Sequence, residues 1–170
     1  MIFGNSDAAA LEIGEIAMAS EQGKPFVRIR FALVGEILGD WNTPIPLTVA
    51  VGNMKTFLAC RDFRRDTTLT NTDAAGIFAA TFTAFYKYDY ETQPVLNPNL
   101  RDRYHLSEVG GDSVSDKYGI VVAEVGDNIS RVVAMDLQTD CLLIDETVSS
   151  EKLEKMGAEF INWGERVLER

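Results

Sequence analysis

A chain of 170 residues, 46% apolar and 25% charged, has the size and balance of one ordinary globular domain, which excludes a disordered or fibrous segment and removes any need for metal or disulfide staples. A formal net charge of −10 argues against nucleic acid or an anionic membrane as a direct partner. There is no basic and apolar leader, no long uncharged apolar run, and no Cys or His beside Cys60 or Cys141, so the expectation is a cytoplasmic protein with two reduced, buried thiols and neither metal nor cofactor.

Taken in chain order, Leu11, Ile13, Ile16 and Met18 follow period two with one slip at Gly14-Glu15, which reads as a strand with a bulge. After a hairpin turn at Gln22-Gly23-Lys24, residues Pro25 to Val34 alternate Val27, Ile29, Phe31 and Leu33 with Phe26, Arg28, Arg30 and Ala32, a half-buried strand with two arginines on its wet face. A short strand around Glu36 to Leu38 ends at Gly39-Asp40, Trp41 is expected to pack beside it, and Leu47 to Val51 reads as a fourth strand. Asn53 is a cap for a helix carrying Met54, Phe57 and Leu58 on one face, and its end, with Arg61, Arg64 and Arg65, reads as solvated and favoured by the helix dipole. Asp73 caps a second helix whose Ile77, Phe78, Thr81, Phe82 and Phe85 form an aromatic inner face.

From Thr92 to Gly119 periodicity vanishes, and Pro94, Pro98 and the pair Gly110-Gly111 describe a long loop with a flexible joint. Ile120 to Val125, Ile129 to Leu137 and Cys141 to Val148, separated by Gly126-Asp127-Asn128 and Gln138-Thr139-Asp140, form a three-stranded meander. Ser149 is an N-cap and Val148 with Leu153 a hydrophobic staple for a closing helix striped by Leu153, Met156, Phe160, Trp163 and Val167. The fold class is α+β in a single domain over 1–170: a mostly antiparallel sheet from N-terminal strands and a late meander, two central helices and a C-terminal amphipathic helix.

The chemistry narrows by elimination. His105, the sole histidine, has Ser107, Ser113, Ser115 and Asp102 nearby, but no Gly-x-Ser-x-Gly elbow exposes a nucleophile, so no catalytic residue is assigned. Val-Gly-Gly-Asp-Ser lacks the lysine of a phosphate loop, and Val114 stands where a calcium loop would carry a ligand between Asp112 and Asp116. Tyr86, Tyr88 and Tyr90 alternate as in single-strand binders, but their acidic setting suits a protein partner. The acidity is local: residues 86–150 hold 12 acids against 5 bases. Such a patch steers a cationic partner, and Glu108, Asp112, Asp116 and Asp127, with Tyr88 and Tyr90, are its expected contacts. The competing reading is a small-molecule-binding or enzymatic domain with a pocket of Trp41, Phe78, Phe82 and Tyr86.

Met-Ile-Phe-Gly-Asn, the strand Leu-Glu-Ile-Gly-Glu-Ile, the pair ending Phe-Ala-Leu-Val-Gly-Glu-Ile-Leu-Gly-Asp-Trp and the hairpin Gly-Ile-Val-Val-Ala-Glu-Val-Gly-Asp-Asn together resemble bacterial polymorphic-toxin immunity proteins, closest to the immunity protein 42 group. The resemblance implies a small cytoplasmic, non-catalytic protein that blocks a cognate toxin domain, as in contact-dependent growth inhibition. Its target would be a basic domain such as a nuclease. Thr92 to Gly119 matches no family pattern, and no functional residue is carried over to it.

Overall fold

The computed structural model describes residues 1–18, 23–84 and 103–169. Strands β1 (Ile2–Asn5), β2 (Ala9–Ile13), β5 (Ile29–Leu33) and β6 (Glu36–Leu38) form an antiparallel sheet in the order β1-β2-β5-β6. A smaller sheet joins β3 (Ala17–Met18), β4 (Pro25–Val27) and β7 (Ile45–Pro46). The strand expected over Pro25 to Val34 is thus divided: Arg28 interrupts it, and the two halves enter different sheets. Val34 and Gly35 turn β5 into β6 with φ of 50° and 86°, as tight two-residue hairpins require.

Leu47 to Val51 is not a strand but the first turns of α1 (Leu47–Ala59). Proline 46 ends the extended segment because it offers no N–H, and its fixed φ suits entry into a helix. From there Leu47, Ala50, Val51, Met54 and Phe57 recur at helical spacing and are buried. Asn53 lies inside this helix, where its side-chain amide donates to the Glu108 carbonyl at 2.8 Å. Asp73 does cap α2 (Ala74–Phe78): its carboxylate accepts from the Gly76 amide at 2.8 Å, and the helix widens into a π-turn over Ala79–Thr83.

The meander is present as β8 (Tyr118–Gly126), β9 (Ile129–Asp136) and β10 (Cys141–Ser149), ordered β10-β9-β8 and separate from the N-terminal sheet. Near-continuous apolar runs in β8 and β9 reflect burial on both faces. One face, with Ile120, Val122, Val132 and Ala134, joins the main core beneath the N-terminal sheet and helices. The other, with Val121, Ala123 and Val133, closes a second core of Leu69, Ile77, Phe78, Phe82 and Tyr104. Strand β10 is the open edge, interrupted by a bulge between Leu142 and Ile144 and carrying exposed Asp145 and Glu146, features that blunt edge-to-edge pairing. Its exposure also corrects the expectation of two buried thiols: Cys141, at its start, is exposed and Cys60 is half-buried.

Between α3 (Asp112–Ser115) and the terminal helix the chain is therefore all meander, and α4 (Ser150–Leu168) packs on α1 and β1. Leu153, Met156 and Phe160 are buried, and Phe3 meets Phe160 edge-on and Trp163 at a tilt, with centroids 5.8 and 5.5 Å away. The Ser149 hydroxyl makes no capping bond; instead Asn128, from the β8–β9 turn, accepts from the Glu151 amide at 2.8 Å.

Among the described residues, three surface carboxylates contribute to a loss of stability in acid. Asp145 is held below the ordinary carboxylate range chiefly by its hydrogen bond from Arg131, Asp136 by the Gln138 amide, and Asp66 by the Thr68 hydroxyl. Their folded values lie below the unfolded ones, so the stabilisation they supply is complete above about pH 4 and is lost as pH falls through the lowered values. Thermal melts are expected to show a steepening loss of stability below about pH 4, and Asp145→Asn to shallow that slope.

Candidate partner-binding surface

The segment around Gly110-Gly111 is not an open loop. From Tyr104 to Gly110 every residue is buried: His105 bridges Val121 of β8, and Leu106–Gly110 forms a 3₁₀ turn wedged between α1 and β8. Aperiodic spacing hid this burial, because a plug that enters a core end-on presents no repeating face. The glycines serve close packing instead of flexibility. A Cβ at Gly110 would meet Val114 at 2.2 Å, and one at Gly111 would meet the Ile45 side chain at 2.6 Å.

His105 is held within this plug. Its Nε2 donates to the Thr81 carbonyl at 3.1 Å, and its ring lies 4.8 Å from that of Phe82. The Ser113 hydroxyl donates to the carbonyls of Ile29 and Gly110, at 3.2 and 3.0 Å. Phe78 and Phe82 stack at 4.6 Å within the second core, whereas Trp41 lies against Gly14 and under the Arg30 guanidinium, so these rings do not converge on one cavity. Trp41 is also 37% exposed, less packed than its size predicts, although Arg30, paired with Glu12 at 2.5 Å, covers one face.

Of the expected contacts, Asp112 and Asp116 are exposed at the two ends of α3. Glu108 is a correction: it is 9% exposed, turned in with the 3₁₀ turn. Pro44, Ile45, Pro46 and Val49 face Glu108, Gly111 and Asp112 across a groove of about 280 Å³. Val49 at its rim is 45% exposed. Asp40 lies near Lys117, close to the same end of the meander.

Asp127 is elsewhere. It sits in the turn after β8, a nine-residue strand that spans roughly 25 Å at about 3.3 Å per residue, and its carboxylate accepts from Arg65. Tyr86, Tyr88 and Tyr90 lie outside the described residues.

The arginine cluster is not the solvated helix end that its spacing suggests. Arg61 pairs with Glu154 of α4 at 2.6 Å, Arg65 with Asp127, and Arg64 is not solvated but 2% exposed. Its Nη1 donates to the Phe57 carbonyl, its guanidinium lies 4.2 Å over the Phe57 ring, and its Nε is 3.7 Å from Glu124 Oε1. Burial pushes the Arg64 guanidinium down from its ordinary value, with Glu124 opposing the shift. Glu124 in turn accepts from the Ser130 hydroxyl at 2.9 Å and the Ser150 hydroxyl at 2.6 Å. One carboxylate thus ties the end of α1, two strands of the meander and the start of α4. A cleft of about 400 Å³ opens above it, walled by the paired Arg65 and Asp127 and by Asp62.

Among the described residues no cluster of three or more His, Cys, Asp or Glu is placed to hold a metal, and no helix is long and apolar enough to cross a membrane. The family model described as Immunity protein 42 matches residues 1–163. No curated protein matches the chain. A crystal structure of CdiI from Burkholderia dolosa AUO158 is similar at a TM-score of 0.70 and 14% identity, covering 96% of this chain and 99% of that one, a likeness of fold.

Proposed function

The chain belongs to the immunity protein 42 family, and from that premise we propose that it neutralises a cognate bacterial toxin domain in the cytoplasm by binding it, without catalysis of its own. The family match across residues 1–163 is the observation that carries this reading. The surface proposed for contact is the end of the molecule bearing Asp112 and Asp116, with Tyr88 and Tyr90 as aromatic contacts and Asp127 acting from a distance.

The proposed partner is a basic domain, such as a nuclease, since the −10 charge of this chain favours encounter with a cationic surface. Blocking is steric and electrostatic: acids at the surface speed association, while a few central contacts set the lifetime of the complex. Nucleic acid and membrane are not partners in this reading.

The test begins by capturing the partner from the source bacterium, identifying it, and showing that the complex is no longer toxic. Association is then followed by stopped flow. The Asp112→Lys/Asp116→Lys variant is expected to associate about 10-fold more slowly at low salt, with a flatter salt dependence. Rates unchanged from wild type would place the interface on another face.

A further inference from the structure

We infer that the groove between Pro44–Val49 and Gly111–Asp112 is a receptor for one long cationic side chain, Lys or Arg, projecting from the toxin domain, an inference that rests on the toxin-binding reading above. Its volume of about 280 Å³ is ample for one long side chain.

Its lining divides by chemistry as such a side chain does. Pro44, Ile45, Pro46 and Val49 offer apolar surface for the aliphatic stem, and the exposed Asp112 lines the same groove and supplies a carboxylate for the head. None of the described lining residues is cationic, so nothing within the groove competes for that carboxylate. This distinguishes it from the 400 Å³ cleft at the other end, where Arg61 and Arg65 stand among the acids and Arg65 is paired with Asp127.

The walls are also preformed. Two prolines fix their own φ on one side, and on the other Gly111, at φ 60°, leaves no room for a Cβ beside Ile45. A rigid slot loses little order on filling, which is how an anchor residue gains affinity and lifetime. Asp112 is thereby given two roles, steering at a distance and clamping on contact, whereas Asp116, outside the groove, only steers.

The experiment uses the full chain labelled for amide NMR, titrated with acetyl-Gly-Arg-Gly-amide, acetyl-Gly-Lys-Gly-amide and, as a stem without a charge, acetyl-Gly-norleucine-Gly-amide. Saturable shifts are expected at Gly111, Ser115 and the Asn53 side-chain amide with one or both cationic peptides. Asp112→Asn should weaken them at least 5-fold, and norleucine should produce none. Equal shifts with all three peptides, shifts elsewhere, or indifference to Asp112→Asn would overturn the assignment.

With the captured toxin domain, Asp112→Lys should weaken Kd at least 10-fold. Glu151→Lys, an identical charge change beside Asn128 at the far end of the meander, should change it less than 2-fold. That distance exceeds the roughly 8 Å screening length at physiological salt. Equal losses in both variants would reduce the groove to bulk electrostatics and overturn the clamp. A wild-type chain that binds no toxin sinks the functional reading, while the peptide titration still decides the groove.

Discussion

The Glu124→Leu variant is expected to lose about 3–5 kcal/mol of stability, the usual cost of removing one partner from a buried ion pair. For a chain of this length that is a fall in melting temperature of roughly 6–20 °C. The cause is what stays behind. Arg64, 2% exposed and capped by the Phe57 carbonyl, keeps its charge without its nearest carboxylate, and the hydroxyls of Ser130 and Ser150 lose their acceptor. Replacing both members, as Arg64→Met/Glu124→Leu, should recover most of the loss, since it removes the buried charge that the single variant leaves behind; the two serine oxygens, 2.7 Å apart, can bond each other in either variant. A double-mutant cycle by urea denaturation measures the coupling. Additive losses, with no recovery in the double variant, would mean that the 3.7 Å pair contributes nothing and that packing alone holds this junction.

Gly111→Ala carries the second large effect. At φ 60° and ψ −158° the residue occupies a region open essentially to glycine, which costs another residue about 1–3 kcal/mol. In addition the new Cβ would sit 2.6 Å from Ile45 Cδ1 and 3.3 Å from its Cβ, close to the backbone, so overpacking adds about 1–3 kcal/mol more. Gly35→Ala is the uncrowded comparison: its φ of 86° is also positive, yet nothing lies within 4 Å of a Cβ there. Gly35→Ala should therefore show the backbone cost alone, and Gly111→Ala distinctly more. Similar losses at the two positions would argue that Ile45 yields freely.

Much of the fold was legible because periodic burial writes itself into sequence. The meander, the short strand Glu36–Leu38, the Asp73 cap and the stripe of α4 all follow from spacing and turn chemistry. Leu47 to Val51 misled because its valines favour strands, whereas the preceding Pro46 and the α4 surface it packs against decide for helix. Arg64 was unreadable for another reason: its counter-ion stands 60 positions away, and nothing local distinguishes it from Arg61 or Arg65. The acidic site was legible as a composition but not as a place. Of the four acids expected together, Asp112 and Asp116 share one end, Glu108 turns inward and Asp127 pairs at the other.

The sandwiching of β8 between two cores has a kinetic corollary. Val121 and Val122 are completely buried on opposite faces, so the strand cannot be uncovered by peeling away either layer alone. Those of its amides that bond to β9 should exchange with deuterium only through global unfolding, whereas those of β10, exposed along its outer edge, should exchange through local fraying. The same arrangement makes the second core dependent on a strand some 40 residues further along the chain, so α2 and Tyr104 have nothing to close upon until the meander exists. Folding should therefore be paced by closure of these long loops, with the aromatic layer arriving late.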